Sequence, residues 1–248
     1  RCNRRIAAKS ASLVRRRKPS PRLHRGGCSR TLGNDPYLLV LIQPTAPWAR
    51  AMKNILMLHK GGSGGIRGSE VCFIEAAKAL VDAGYTVTVC RDRPVMDEAL
   101  TGVVAEIEEF QCPEVMIDGW STRMPVVQYS RAFRRLRRLV RRLRPAIIYA
   151  NGGLPCQTAV PVGRSTGTPV LCHYHHPATT RYYYLWLLKY ADHRIYPSEY
   201  TRNHVRSRLG VDGDVVFNGV DTEVYRPQHR RSLRALRDRL GIPQDAVV

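Results

Sequence analysis

Short apolar runs alternate with amphipathic segments along most of this chain. The first run, Asn54–His59, has the length of a strand and is apolar at nearly every position, which predicts a strand covered on both faces. Apolar residues at helical spacing over 71–81 predict a helix that stops at Gly84. The β-branched run 85–90 predicts the next strand. These segments form a predicted β-α-β unit.

The same alternation continues towards the end of the chain. Further strands are predicted at 103–110, 146–150, 169–174, 193–196 and 215–217. Helices are predicted at 133–143, from about 155 onward, at 184–190 and at 199–209. We therefore predict an α/β fold with a doubly wound parallel sheet, in which ligands bind beyond the carboxyl ends of the strands. Five polar or glycine-rich loops fall at such ends: 61–68, 151–153, 173–177, 197–199 and 218–219.

The loop after the first predicted strand has five glycines among the eight residues 61–68. Glycine tolerates positive φ and lets a ligand approach the main chain, and the helix N-terminus that follows offers unpaired N–H groups. This arrangement suits an anion or a polyol; a flexible loop that binds nothing is the alternative. The spacing matches neither a P-loop nor the usual dinucleotide fingerprint, whose last glycine is replaced here by Arg67.

Composition narrows the class of protein. With 248 residues and 44% apolar content, the chain has enough material for a buried core in one large or two small domains. Residues 1–51 contain twelve Lys or Arg and one acidic residue, and so carry +11 of the net charge of +20. We expect this leader to be disordered, either as a non-native extension before Met52 or as an organelle transit peptide.

Cysteine usage and hydropathy indicate the compartment. The seven cysteines show no Cys-x-x-Cys spacing, and several lie on predicted apolar faces, which favours free thiols in a reducing cytoplasm. No apolar run approaches the roughly 20 residues that a membrane-spanning helix needs. We therefore expect a cytoplasmic protein without a transmembrane segment.

Five stretches near the predicted loops share a recognisable order. They read GGIRGSE at 64–70, AGYTVTV at 83–89, RPAIIYAN at 144–151, ADHRIYPSEYT at 191–201 and NGVDTEVYRP at 218–227. This order resembles the N-terminal domain of family-4 glycosyltransferases, retaining enzymes of the two-domain GT-B architecture. The resemblance covers about 53–248, and its most specific part is the last stretch.

The resemblance implies a division of the chain and a ligand. We expect a basic extension at 1–51, a Rossmann-like acceptor-side domain at 52–228, and at 229–248 a linker with the start of the donor domain. In the family the C-terminal domain holds the nucleotide sugar through two glutamates seven residues apart. The full-length protein would thus be a hexosyltransferase that uses a nucleotide-sugar donor. This truncated chain alone is expected to carry no bound cofactor, to bind the donor poorly and to turn over little.

The resemblance also implies substrate-binding residues. The glycines of the first loop would line the interdomain cleft, Arg67 would meet an anionic group, and a histidine of the 173–177 loop would contact the transferred sugar. A solvated loop arginine and a surface histidine cluster are the alternatives. The expected substrate-binding residues are Gly64, Gly65, Arg67, His175, His176, Ser198, Asn218 and Gly219.

Other ionisable residues near these loops have simpler interpretations. Glu70 lies in the first turn of a predicted helix, where the helix dipole favours a carboxylate, so we expect capping rather than catalysis. His173, His175 and His176 lack an identifiable carboxylate or cysteine partner, so we expect no metal. No pair of carboxylates suits a double-displacement mechanism, and catalytic residues stay unassigned.

The predicted helix before Pro145 carries eight arginines and no acid over 131–144. A solvated face is the usual meaning of such a run. The alternative is that this face, with the aromatic segment 182–186, docks on anionic lipid at the inner face of the membrane to reach a lipid-linked acceptor. The membrane-contact candidates are Arg134, Arg138, Arg141, Arg142 and Trp186.

Two other classes of protein compete with the glycosyltransferase. A Rossmann oxidoreductase is disfavoured, because Asp92 falls two residues too late after the second strand to bind a ribose. A non-enzymatic basic module that binds anionic membrane or nucleic acid is permitted by the net charge. We expect no specific nucleic-acid partner, because the basic leader lacks interleaved aromatic residues.

Overall fold

The computed structural model describes residues 54–62, 64–118, 121–219 and 230–247, so the predicted extension at 1–51 lies outside the described residues. The strands are β1 (Asn54–His59), β2 (Thr86–Arg91), β3 (Glu106–Glu109), β4 (Met116–Asp118), β5 (Ser121–Arg123), β6 (Ile147–Asn151), β7 (Val170–His173), β8 (His193–Tyr196) and β9 (Asp214–Val215). The helices are α1 (Gly68–Asp82), α2 (Asp97–Leu100), α3 (Val126–Leu143), α4 (Gly153–Thr166), α5 (Thr180–Leu185), α6 (Glu199–Leu209) and α7 (Arg230–Arg239). Two short 3-10 turns cover Pro94–Met96 and Leu188–Tyr190.

Seven strands form one parallel sheet in the order β3-β2-β1-β6-β7-β8-β9. The strand order reverses between β1 and β6, which is the point where open α/β sheets form a ligand crevice. Alternate residues of β1 enter different cores, with Leu56 and Leu58 on one face of the sheet and Ile55 and Met57 on the other. The predicted doubly wound parallel sheet is confirmed.

Local sequence signals explain where several helices begin and end. At the start of α6, the Ser198 side chain accepts a hydrogen bond from the Thr201 N–H, as expected of a serine N-cap. The same helix ends at Gly210, whose φ of 65° is left-handed and therefore favours glycine. Among the described residues, no helix is both long and apolar enough to cross a membrane.

Acidic residues interrupt the apolar ones in the predicted strand 103–110, where the structure has the shorter edge strand β3. The structure explains these acids. Glu106 and Glu108 of β3 face helix α3, where Arg142 pairs with Glu106 at 3.2 Å and with Glu108 at 2.8 Å. Arg135 reaches Glu108 at 3.4 Å. The charged pattern of this edge strand therefore follows from its neighbour in space.

The secondary structure differs from the prediction in several places. Helix α3 begins at Val126 rather than at 133, and α2 and α7 were not predicted. The helix predicted at 184–190 is wrong in its start and its continuity: α5 covers Thr180–Leu185, and Leu187, with a left-handed φ of 55°, separates it from the turn Leu188–Tyr190. The break lies at Trp186, which packs closely on Gly153. A Cβ added to Gly153 would lie 2.2 Å from the Trp186 ring. The β4–β5 hairpin was not predicted, because strands of three residues are too short to show a period.

Candidate functional site

Three neighbouring strands end in a polar residue at the same edge of the sheet. His59 ends β1, Asn151 ends β6 and His173 ends β7, and the registers pair His59 with Asn151 and Asn151 with His173. All three are buried, with exposed fractions of 2%, 4% and 5%. Because β1 and β6 flank the point where the strand order reverses, this row lies at the floor of the expected crevice.

The side chain of Asn151 joins the surrounding segments. Its Nδ2 lies 2.8 Å from His59 Nδ1 and donates to the backbone carbonyl of Ser69 at 3.1 Å. Its Oδ1 accepts a hydrogen bond from His175 Nε2 at 2.7 Å. One amide therefore connects β1, the first turn of α1 and the loop after β7.

Glu70 is buried against His59. Its Oε1 lies 3.2 Å from His59 Nε2, and its Oε2 accepts from the Arg67 N–H at 3.2 Å and from the Ser69 hydroxyl at 2.8 Å. Burial alone would raise the pKa of Glu70, but hydrogen bonds, first from Ser69 and also from His59, lower it. Burial lowers the pKa of His59 despite the adjacent carboxylate. The pair is thus a carboxylate and a neutral imidazole.

The Arg67 N–H contact confirms the predicted capping role of Glu70. The sequence did not indicate that Glu70 is only 2% exposed or that it faces His59. The signal that could have indicated this contact is the polar residue at the end of each apolar strand. Such a side chain is buried and therefore needs a hydrogen-bond partner.

The histidines of the 173–177 loop occupy different environments. The Tyr149 hydroxyl hydrogen-bonds Nδ1 of His173, whose ring lies 4.1 Å from that of His175. Burial lowers the pKa of His173 well below its ordinary value and, with His176 and His59 nearby, lowers the pKa of His175 to about 4. His176 is exposed and stacks on Tyr174. Of the two candidate sugar contacts, His175 belongs to the buried network and His176 does not.

The glycine-rich turn makes room for Arg67. A Cβ on Gly62 would lie 3.0 Å from Nη1 of Arg67, and a Cβ on Gly64 would lie 3.5 Å from Nη2. None of the described glycines of this turn has a positive φ, so the expected need for left-handed backbone is wrong here. The close contact at Gly62 is with the end of a flexible, exposed side chain, which can move to admit a Cβ. A Cβ on Gly65 would meet nothing within 4 Å.

Arg67 itself is exposed, and its guanidinium makes no hydrogen bond or ion pair with the described residues. The start of the turn is held by the Gly61 N–H, which donates to Asp92 at 2.7 Å. An open polar pocket beside the turn is lined by Asp92, which the sequence discounted as a ribose ligand, and by four residues that it did not single out: Lys60, Arg93, Gln111 and Glu114. A cation free of partners in the described structure therefore lies next to a polar pocket and the buried row.

The remaining predicted substrate-binding residues lie towards the β8–β9 side of the sheet. The hydroxyl of Ser198 serves as the N-cap of α6. Asn218 is exposed and Gly219 is half-buried, and both follow β9. The structure gives none of these three a contact with the His59–Asn151–His173 row, and their ligand-binding role stays a prediction.

The arginines of α3 fall into two groups. Arg135 and Arg142 pair with the carboxylates of β3, so Arg142 is less available for a membrane than was expected. The other group, here called the arginine face, lines a shallow pocket: Arg131, Arg134, Arg138 and Arg141, which are exposed, and Arg137, which is half-buried. Within the described part of the chain, Arg138 and Arg141 have no ion-pair partner.

Trp186, the aromatic membrane-contact candidate, is half-buried. It packs on Gly153 and stacks with Tyr182 at 5.3 Å between ring centroids. Tyr184 is the more exposed aromatic residue of this segment, at 49%. The role of Trp186 in packing is therefore clear, whereas its membrane contact stays a prediction.

Solved structures share this fold. The Anabaena protein Alr3699/HepE in complex with UDP-glucose matches with a TM-score of 0.57 and 19% identity, over 76% of this chain and 50% of that one. A glycosyltransferase from Rickettsia africae matches with a TM-score of 0.57 and 17% identity, over 79% of this chain and 51% of that one. The chain thus has the Rossmann-like fold of GT-B glycosyltransferases and spans about half the length of these structures.

The family model of Glycosyltransferase Family 4 matches residues 66–224, which is well over half of the chain. The chain therefore belongs to this family, as its sequence motifs predicted. The matched region includes α1, strand β6, which ends at Asn151, and the loop 173–177. No curated protein matches the chain significantly.

Proposed function

We propose that this chain is the acceptor-side half of a retaining hexosyltransferase that uses a nucleotide-sugar donor. The observation that carries the proposal is the buried polar row at the strand-order reversal. Arg67, whose side chain has no partner in the described structure, lies beside it, since its backbone N–H donates to Glu70. Family membership supports the reaction class. The complex of Alr3699/HepE with UDP-glucose supports the donor class, since that protein has the same fold.

The residues of the crevice would bind different parts of the ligand. Arg67 would pair with an anionic group such as the donor diphosphate, because a guanidinium forms strong charge-assisted hydrogen bonds with phosphate oxygens. Gly64 and Gly65 leave the backbone N–H groups of the turn accessible. His175 would contact a sugar hydroxyl. In the intact enzyme the donor phosphate would help to remove the acceptor proton.

Ligand binding tests this proposal on the chain as it exists. Saturation-transfer NMR with UDP-glucose should show weak binding, and Arg67→Gln should weaken it about tenfold, the loss expected for one charge-assisted contact. Arg239→Gln, which removes an exposed arginine of α7, is the control and should have no effect. Binding of NAD in preference to UDP-glucose would instead support the oxidoreductase.

The arginine face supports a second role. We propose that it docks on anionic lipid and places the crevice near a lipid-linked acceptor, which would make the protein peripheral at the inner face of the membrane. Five arginines line this face, and each basic side chain near an anionic bilayer contributes about 1 kcal/mol to binding. Because Arg135 and Arg142 pair with β3, the arginine face is the part of α3 that can contact the lipid.

Vesicle flotation separates docking by this face from attraction by total charge. The triple change of Arg134, Arg138 and Arg141 to Glu should reduce binding to phosphatidylglycerol vesicles at least tenfold, by the same per-residue contribution. The control changes Arg208, Arg234 and Arg239 to Glu, an identical change in net charge at exposed positions. An equal loss in both variants would indicate a basic module without a specific docking face.

A further inference from the structure

The backbone carbonyl of Ser69 determines how the Asn151 amide is oriented. A carbonyl oxygen can only accept a hydrogen bond, so the Asn151 atom 3.1 Å away must be the NH₂ group. Its other hydrogen then points to His59 Nδ1 at 2.8 Å, which must carry a lone pair. The amide oxygen faces His175 Nε2 at 2.7 Å, which must carry a hydrogen.

These assignments extend to both ends of the network. With its Nδ1 unprotonated, neutral His59 carries its hydrogen on Nε2 and donates it to the Glu70 carboxylate. With its hydrogen on Nε2, neutral His175 has a lone pair on Nδ1. That Nδ1 has no hydrogen-bond partner among the described residues. His173 Nε2 is shut off from solvent and has no partner, whereas His175 Nδ1 is not shut off in this way. The lone pair of His175 is therefore open to a ligand.

We infer that Asn151 is a positioning residue that holds His175 in the Nε2–H tautomer, so that Nδ1 accepts a hydrogen bond from a sugar hydroxyl. The identity of the ligand rests on the proposed function, whereas the tautomer does not. An imidazole held in this way cannot donate from Nδ1 to a phosphate oxygen. His175 would therefore bind hydroxyl groups, and Arg67 would bind an anionic group.

The charged state of His175 agrees with this role. Burial is the main reason that its pKa is lowered to about 4, and the neighbouring His176 and His59 add to the effect. The Glu70 carboxylate opposes it, and the His173 ring lies 4.1 Å away. Near neutral pH the ring is thus uncharged and acts through its tautomer.

Long-range ¹H–¹⁵N NMR of the full chain with ¹⁵N-labelled histidine measures tautomers directly, and His175→Gln assigns the signals. The wild type should show His175 as the Nε2–H tautomer at pH 7. A predominant Nδ1–H form, or an even mixture, would overturn the inference. Asn151→Ala should convert His175 to a mixture, and a tautomer unchanged in this variant would show that Asn151 does not set it.

Asn151→Asp provides a matched variant of nearly the same shape. Its carboxylate can still accept from His175 Nε2, so His175 should keep its tautomer. The carboxylate has no hydrogen to donate to His59 or to the Ser69 carbonyl. His59 should then acquire a proton on Nδ1. A merely structural role for Asn151 predicts no such separation between the two histidines.

Titration with UDP-glucose and with UDP tests the ligand. UDP-glucose should shift the Nδ1 signal of His175 in the wild type and not in Asn151→Ala, whereas UDP should shift it in neither. Binding of UDP-glucose without a shift would overturn the hydroxyl contact. If UDP-glucose does not bind, the proposed function fails, while the tautomer measurements still decide the role of Asn151.

Discussion

The crevice and the arginine face both concentrate ionisable side chains, but they treat them in opposite ways. In the crevice, His59, Glu70 and Asn151 are buried, and each is bonded to a neighbour at a defined atom. On α3, Arg138 and Arg141 are exposed and have no ion-pair partner among the described residues. The crevice can thus select a ligand by geometry, and the arginine face can select one only by its summed charge.

The difference has a physical cause. Burial penalises charge and unpaired polar atoms, so the crevice keeps one carboxylate, neutral imidazoles and many hydrogen bonds. Water solvates the exposed guanidinium groups, so they need no fixed partner. Substitutions should therefore have large effects on stability in the crevice and small ones on α3.

The largest expected effect is that of Asn151→Leu. The change removes hydrogen bonds to His59, Ser69 and His175 and leaves buried polar atoms unpaired, which should lower the free energy of unfolding by about 3 kcal/mol. Urea denaturation measures it. Asn203→Leu on exposed α6 is the control and should change the value by less than about 0.5 kcal/mol. Equal effects would show that the network adds nothing to stability.

Acid should destabilise the crevice next. His59, His173 and His175 have lowered pKa values in the folded protein, so the unfolded chain binds protons first as the pH falls below about 6.5. Stability is therefore present above that pH and is lost towards the folded pKa, about 4 for His175.

Each such histidine contributes at most about 1.4 kcal/mol per pH unit. Denaturation midpoints measured between pH 7 and the acid limit should fall, and they should fall less steeply in His175→Asn. His193→Gln is the control for the loss of a histidine at an exposed position. A wild-type midpoint that does not change with pH would contradict the neutral state of these rings in the folded protein.

Glu70→Gln should have a smaller effect. An amide cannot accept from His59, Arg67 and Ser69 at once, because its NH₂ group must face one of these donors, and this should lower the free energy of unfolding by about 2 kcal/mol. The same change at Glu75, a half-exposed partner of Lys78, should lower it by about 0.3 kcal/mol. Comparable losses measured by urea denaturation would contradict the buried role of Glu70.

The smallest effects are expected on α3. Arg142→Gln breaks pairs with Glu106 and Glu108 and should lower the free energy of unfolding by about 0.5 kcal/mol at low salt. Arg138→Gln should not lower it. Added salt should remove the difference between the variants, since both positions are exposed. A difference that survives high salt would mean that packing, not charge, distinguishes the two residues.

Much of the fold could be predicted, because it depends on local periodicity. The apolar run of β1 and the Ser198 and Gly210 signals around α6 are visible in the sequence, and the structure agrees with them. The end of α5 was missed, because it coincides with the packing of Trp186 on Gly153, far from it in sequence. The capping role of Glu70 was predicted, whereas its contact with His59 was not.

The sequence alone determined the alternation of strands and helices, the loops at the carboxyl edge and the family motifs. Only the tertiary structure decided which polar residues meet. His59 and Asn151 are 92 residues apart in the chain, and the parallel register of β1 and β6 brings their side chains to 2.8 Å. It likewise decided that Arg142 is paired and Arg138 is not, because the partners of Arg142 lie on an edge strand that precedes α3 in the chain. Periodicity is a local property of a sequence, whereas contacts between distant residues depend on the order and register of the strands.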